Sequence, residues 1–139
     1  MPSDLRPQRS RRSELMSRIG SKNTEPEKHA RKVLTSKAIR YRLHRRDLPG
    51  RPDIYIPRLH IAIFVNGCFW HGHDCRRGRR PKTNTDFWNA KINRNIERDA
   101  EVNRLLAELG IECHTVWSCS LAEFESLAST IATRYKQMA

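Results

Sequence analysis

Apolar positions in this chain follow two rhythms, and the switches between them mark out the elements. Ala30, Val33 and Leu34 recur at helical spacing behind Thr24-Glu-Pro-Glu27. Thr24 is a good N-cap and Glu27 stands three residues on, as a capping box requires, so a helix is predicted from Thr24 to about Lys37. Upstream, Ser13-Glu-Leu-Met-Ser-Arg-Ile-Gly20 allows a shorter helix closed by its glycine. Short β-rich runs come next. Ile39–Leu43, Asp53–Ile56 and His60–Val65 read as strands, parted by the turn-rich Leu48-Pro-Gly-Arg-Pro52 and by Pro57-Arg58. Helical spacing returns with Ile92, Ile96, Val102, Leu106 and Leu109, predicting a long helix from about Asn84 to Leu109 that stops at Gly110. Ile111–Trp117 is a last strand and Leu121–Met138 a last helix. The order α-α-β-β-β-α-β-α, without internal repeats, predicts an α/β fold with a small mixed β-sheet flanked by helices.

With 139 residues, 37% hydrophobic and 30% charged, the chain reads as one globular domain over residues 13–139 behind a flexible basic arm, residues 1–12. No apolar run approaches the ~20 residues of a membrane span, so no membrane association is expected. The basic N-terminus has no apolar segment of a secretory signal, and a cytoplasmic, nucleoid-associated location is the expectation. Charge changes the picture further. Residues 1–100 carry 24 basic and 10 acidic side chains, whereas residues 101–139 carry 3 and 5. A positive front with a near-neutral back is the footprint of a polyanion-binding face. A generic basic protein or a membrane-surface binder would match on charge alone. Three tryptophans alongside the basic loop Arg76-Arg-Gly-Arg-Arg80 favour nucleic acid, with Arg76, Arg77, Arg79 and Arg80 as candidate phosphate grips.

The densest chemistry lies in Gly67-Cys-Phe-Trp-His-Gly-His-Asp-Cys75, directly behind the apolar run Ile61-Ala-Ile-Phe-Val65. In a reducing compartment, clustered cysteine and histidine read as metal ligands before disulfides. Cys68, His73 and Cys75 offer three ligands, and Cys119, beyond the last strand, could supply a fourth. Cys₃His is a closed tetrahedral zinc set, structural rather than catalytic. The bland alternative makes Cys68 and Cys75 small buried hydrophobes. Cys113 competes for the fourth place, but its apolar strand reads as core.

Arg51-Pro-Asp53 sets a carboxylate at the start of a strand, where an apolar residue would cost less. Pro-Asp opening a strand, after a helix bearing Glu27, is the first half of the PD-(D/E)xK nuclease pattern, in which such a carboxylate binds magnesium. A turn-capping aspartate is the usual alternative. The next strand should carry an acid-x-Lys pair and has Ile63-Phe-Val65 instead, so another residue must replace the lysine. Asp99 supplies a clue, because it falls within the apolar stripe of the long helix while Glu97 and Glu101 take the opposite side. A core-facing carboxylate needs a partner. His71, left over once His73 goes to the metal, is a natural one, and a His71–Asp99 pair would do the acid–base work of the missing lysine. A local bond from Asp99 to Arg98 or Lys91, or a helix rotated by one residue, is the competing reading. Phe69, Trp70 and Trp88 are flat side chains near the positive face, able to wedge between bases. Ordinary packing is the alternative for Trp88, and the better one for Trp117.

The same residues resemble the very-short-patch repair (Vsr) endonucleases. The resemblance runs from about Ser17 to Leu121. It rests on Pro49-Gly-Arg-Pro-Asp53, Gly67-Cys-Phe-Trp-His71 with His73 and Cys75, Phe87-Trp88 with Lys91-Ile92 and Asn95, Glu97-Arg-Asp99, and Val116-Trp-x-Cys119. It implies a single restriction-endonuclease-like domain with a structural zinc site. The implied activity is magnesium-dependent nicking of one DNA strand on the 5′ side of thymine, at T·G mismatches left by 5-methylcytosine deamination. By position, it implies that Asp53 and the Val65 carbonyl bind Mg²⁺, that His71 is the general base oriented by Asp99, and that Glu27 supports the metal site. It further implies that Cys68, His73, Cys75 and Cys119 hold Zn²⁺, and that Phe69, Trp70 and Trp88 enter the DNA while Met16 inserts from the other groove. Double-stranded DNA is the implied partner, a mismatch-repair ATPase a candidate one, and a monomer suffices because nicking needs one active site. Asn66 departs from the family, which often has histidine there. Two other functions compete: a zinc-stabilised module that binds DNA without cutting, and a nicking enzyme for intact sites. The module does not need Asp53, His71 and Asp99 together.

Overall fold

The computed structural model describes residues 24–138. The basic arm, the short helix expected at residues 13–20 and Met16 lie outside the described residues. Helix α1 spans Glu25–Ser36, followed by strands β1 (Arg42–Leu43), β2 (Ile54–Ile56) and β3 (Ile61–Asn66). A single 3₁₀ turn covers Arg76–Gly78; then come α2 (Thr85–Glu108), β4 (Glu112–Trp117) and α3 (Leu121–Gln137). The sheet order is β1-β2-β3-β4, with β1/β2 and β2/β3 antiparallel and β3/β4 parallel. The expected small mixed sheet flanked by helices is therefore what forms, with α2 as the crossover that a parallel β3/β4 pair requires.

The first strand is shorter than the apolar run Ile39–Leu43 suggests, and the end of α1 explains why. The Ile39 N–H donates to the Leu34 carbonyl (3.0 Å) and the Ala38 N–H to that of Thr35 (3.0 Å). This is a Schellman closure with Ala38 in the left-handed region (φ 58°), so Ile39 packs back on the helix as its apolar stop and cannot join the sheet. At the other end of α1, the Glu27 N–H donates to Thr24 Oγ1 (3.4 Å), as a cap should. The Glu27 side chain turns inward and is 1% exposed, a choice that the site below accounts for.

Sheet residues alternate between two cores. Ile54, Ile56, Ile61, Ile63 and Val116 pack with Ala30 and Leu34 of α1 and with Phe124, Ala128 and Ile131 of α3. Tyr55 and Ala62 face the other way, onto Leu106 of α2 and Ile111. Both faces are covered, which is why β3 reads as a continuous apolar run instead of an alternating one. Burying Ile61, Ala62 and Ile63 completely makes β3 the rigid centre of the domain. On α2, Ile92 and Leu106 are buried as expected, but Leu109 is 60% exposed. It serves as the helix C-cap ahead of Gly110 (φ 78°), the expected stop. Cys113 lies against the second core, as its strand suggested.

Candidate active site

The site forms where β3 ends. Asp53 precedes β2, and its Oδ2 accepts the Val65 N–H (2.8 Å), which draws the carboxylate across to the end of the neighbouring strand. Beyond β3 the chain turns back at Gly67, and the His71 N–H donates to the Gly67 carbonyl (3.2 Å). His71 Nδ1 lies 2.5 Å from Asp99 Oδ2 on α2. Asp99 does not face the core as its place on the stripe suggested: its side chain is 36% exposed on the cavity wall, where it pairs with the spare imidazole, and neither a bond to Arg98 nor one to Lys91 is needed to explain it. Nδ1 donates to this carboxylate, which leaves Nε2 as the basic nitrogen. Asp53, Val65, Asn66, His71 and Asp99 line one cavity of about 820 Å³, with Arg51, Arg77 and Arg98 also on its wall. An anionic substrate thus meets positive charge around a carboxylate and a base. Asn66 is 9% exposed, and its neutral amide can orient a water but cannot exchange a proton with it at neutral pH.

Burial pushes the Asp53 carboxyl up to about 6; the Val65 N–H opposes this, and the Glu27 carboxylate nearby adds to it. A carboxylate held so far above its ordinary 3.8 is one waiting for positive charge. A divalent cation fits that requirement, with Asp53 and the Val65 carbonyl as ligands and Glu27 behind them. The folded state holds the Asp53 proton more tightly than the unfolded chain does. Stability from this group is therefore complete below about pH 4 and is lost as pH rises through about 6. In the presence of chelator, Asp53→Asn is expected to stabilise the protein at pH 8 by about 1–3 kcal/mol, and not at pH 4. Thermal melts at the two pH values check this, and identical melts at pH 8 would contradict it.

Behind the cavity, the donor atoms of Cys68, His73, Cys75 and Cys119 all lie within 4.8 Å of one another. A tetrahedral site with zinc–sulfur bonds has edges of roughly 3.8 Å, so little movement closes the cluster on an ion. His73 Nδ1 is already 3.4 Å from Cys119 Sγ. The imidazole stacks on Trp117 at 4.0 Å between ring centroids, which fixes its plane. Desolvation, then the neighbouring Cys68 and Cys75 sulfurs, pushes the Cys119 thiol up to about 11. The Cys68 thiol is lowered despite its burial, through hydrogen bonds from Ser118, Cys119 and Cys75. Three sulfurs this close cannot all ionise without a cation among them, and their softness suits zinc. The loop is packed so tightly that a Cβ at Gly78 would meet the His73 carbonyl at 1.9 Å. Arg77 Nη1 donates to the Ser118 carbonyl (2.9 Å), tying the loop to the chain that bears Cys119.

The other sequence-selected residues divide. Phe69 and Trp88 are 7% and 3% exposed and pack with Ile92, Trp70 beside them being half-buried. Arg80 donates to Asn89 Oδ1 (3.0 Å) and Asn93 Oδ1 (2.9 Å), so it braces α2, whereas Arg76 and Arg79 face solvent. Sequence reading quoted Phe87 for the resemblance but gave it no role; it is the most exposed aromatic at this end (53%), with Lys91 Nζ 5.9 Å from its ring and 5.4 Å from that of Trp70. Adjacent aromatics on a helix point about 100° apart, so burial of Trp88 exposes Phe87. Asn95, also quoted there without a role, donates from Nδ2 to the Trp70 carbonyl (2.8 Å) and clamps the loop to α2.

The sequence profile of a family described as DNA mismatch endonuclease Vsr matches residues 5–77. The chain is 46% identical to the type II nicking enzyme V.XorIIP of Xanthomonas oryzae pv. oryzae over 121 residues, 87% of this chain and 89% of that one. It is 43% identical to the type II nicking enzyme V.NmeAIP of Neisseria meningitidis over 81% of this chain and 80% of that one. With the DNA mismatch endonuclease Vsr of Escherichia coli it shares 38% identity over 88% of this chain and 78% of that one. A cavity with a half-buried carboxylate, a histidine–aspartate pair and a positive wall, joined to these similarities, makes the chain a DNA endonuclease of the Vsr family.

Proposed function

We propose that this enzyme nicks one strand of duplex DNA on the 5′ side of the thymine in a T·G mismatch, with Mg²⁺ at Asp53 and Zn²⁺ in the cysteine–histidine cluster. The observation that carries the chemistry is the 2.5 Å contact between His71 and Asp99 within a cavity shared with Asp53. His71 takes a proton from water at Nε2 as the water oxygen bonds to phosphorus. The bond from phosphorus to the 3′-oxygen breaks, and that oxygen takes a proton from solvent water, leaving a 3′-hydroxyl and a 5′-phosphate. Asp99 keeps the imidazole oriented and stabilises the charge that it gains. Asp53 and the Val65 carbonyl, with Glu27 behind them, would hold a magnesium ion, which would supply electrostatic stabilisation for the charge that develops on the reacting phosphate. Arg51, Arg77 and Arg98 hold the strand against the cavity, and Arg76 and Arg79 extend the positive track.

Phe69, Trp70 and Trp88 serve as the wedge into the duplex, together with Met16 from the opposite groove. Phe69 and Trp88 are packed inward in the free protein, so insertion draws them out of their cluster, and Trp70 and Phe87 are its leading edge. A mispaired step costs less to unstack than a paired one, which is the physical basis for choosing a mismatch. The enzyme acts as a monomer in the cytoplasm, and a mismatch-repair ATPase is a candidate partner. No described helix is long and apolar enough to cross a membrane.

A second reading, nicking at intact sites, is favoured by relatives named as type II nicking enzymes. Cleavage of two otherwise identical duplexes, one with T·G and one fully paired, in several flanking contexts separates the two. Preference for the mismatch supports the first reading; equal cutting of paired DNA moves the function to the second.

A further inference from the structure

We infer that His44 is a positioning residue of the metal site, holding the Glu27 carboxylate beside Asp53 while its own main chain fixes Asp53. The inference rests on the metal-dependent reading above. Three observations meet at this residue. His44 Nε2 lies 3.0 Å from Glu27 Oε1, and Arg31 Nη1 is 3.9 Å from the same oxygen. The His44 N–H donates to the Asp53 carbonyl (3.0 Å). The His44 backbone is left-handed (φ 50°), an unusual conformation for a residue with a side chain, at the point where β1 leaves the sheet.

The local chain is built to hold that conformation. Leu43 is the last residue of β1 and pairs with Ile54, which sets His44 opposite Asp53. Arg45 then closes the turn through two bonds of 2.7 Å to the Asp47 carboxylate. The imidazole is thereby aimed under the sheet at Glu27, which is 1% exposed. A carboxylate so deeply buried needs a polar partner, which the imidazole supplies as a close 3.0 Å contact and not as a hydrogen bond, and it lies close to a second carboxylate that repels it. Without the imidazole, Glu27 keeps Arg31 Nη1 at 3.9 Å but loses its nearer contact, and its carboxylate is held less firmly beside Asp53. The charge that the cation meets behind Asp53 would then be displaced. The inward turn of Glu27, costly for a charged side chain in the first turn of a helix, has its reason here.

The test uses zinc-loaded full-length protein titrated with Mn²⁺, the free ion being followed by its electron paramagnetic resonance signal. His44→Ala is expected to bind Mn²⁺ about 10- to 100-fold more weakly than the unaltered protein. His44→Gln, which keeps an N–H donor at similar reach, is expected to restore most of the affinity. The Mg²⁺ concentration for half-maximal nicking should follow the same order, with zinc content and DNA affinity unchanged in both variants. Unaltered Mn²⁺ affinity in His44→Ala, or equal weakness in His44→Gln, would overturn the positioning role. Asp53→Asn in the same titration separates the causes. If it too binds Mn²⁺ normally, the acidic pair is not the metal site, and the role of His44 falls with that reading. If it loses the ion while His44→Ala keeps it, only the role of His44 is overturned.

Discussion

Asp53→Ala is expected to abolish strand cleavage, and His71→Ala to reduce it by roughly 10²- to 10⁴-fold, while both variants keep their bound zinc and their affinity for DNA. Asp53 is the carboxylate of the site that the fold draws across two strands, with Oδ2 fixed by the Val65 N–H. Removing it takes away the charge that a divalent cation needs. His71 is the imidazole with its Nδ1 held by Asp99, and thus the group whose free nitrogen can accept a proton. Neither residue is among the four clustered metal donors, so zinc content should not change. The positive wall that would bind the backbone is also untouched. Single-turnover rates with an end-labelled duplex, alongside binding measured by anisotropy, check both halves. Full activity in either variant would remove that residue from the chemistry.

Cys68→Ser should have the largest effect on stability. The Cys68 side chain is buried, with 2% exposure, at the point where the active-site loop leaves β3. Losing one of four donors is expected to empty the site and to cost on the order of 3–5 kcal/mol, a large part of the stability of a small domain. Nicking falls as well, because His71 lies between Cys68 and His73 on the same loop and loses its orientation when that loop opens. Cys119→Ser should be milder, since Cys119 sits at the exposed edge of the cluster. Metal analysis of the purified variants and thermal unfolding measure both effects. Wild-type zinc content in either variant would strike that cysteine from the ligand set.

Much of this arrangement is legible in the sequence because its signals are local. Thr24, Gly110 and the spacing of Ile92 and Leu106 mark helix ends and faces, and the apolar run before Cys68 marks the central strand. The metal cluster is legible for the same reason: three of its donors lie within eight residues, and soft ligands so close have few other uses. Asp99 is visible as a carboxylate on an apolar stripe. Features set by tertiary contacts are not visible in this way. Ile39 looks like a strand residue until the helix closes on it, and Phe87 looks like Trp88 until one of the two is buried. His44, among arginines after a two-residue strand, carries no periodic or spacing signal. Only the pairing of β1 with β2 brings it to Asp53 and Glu27.

The decisive measurement is cleavage of a T·G duplex with all four strand ends labelled, in Mg²⁺ and in EDTA. One product is expected: a nick immediately 5′ of the mispaired thymine, with a 5′-phosphate, formed only with Mg²⁺. Cuts in both strands, or cutting that persists in EDTA, would contradict a single metal-dependent site built from Asp53, His71 and Asp99.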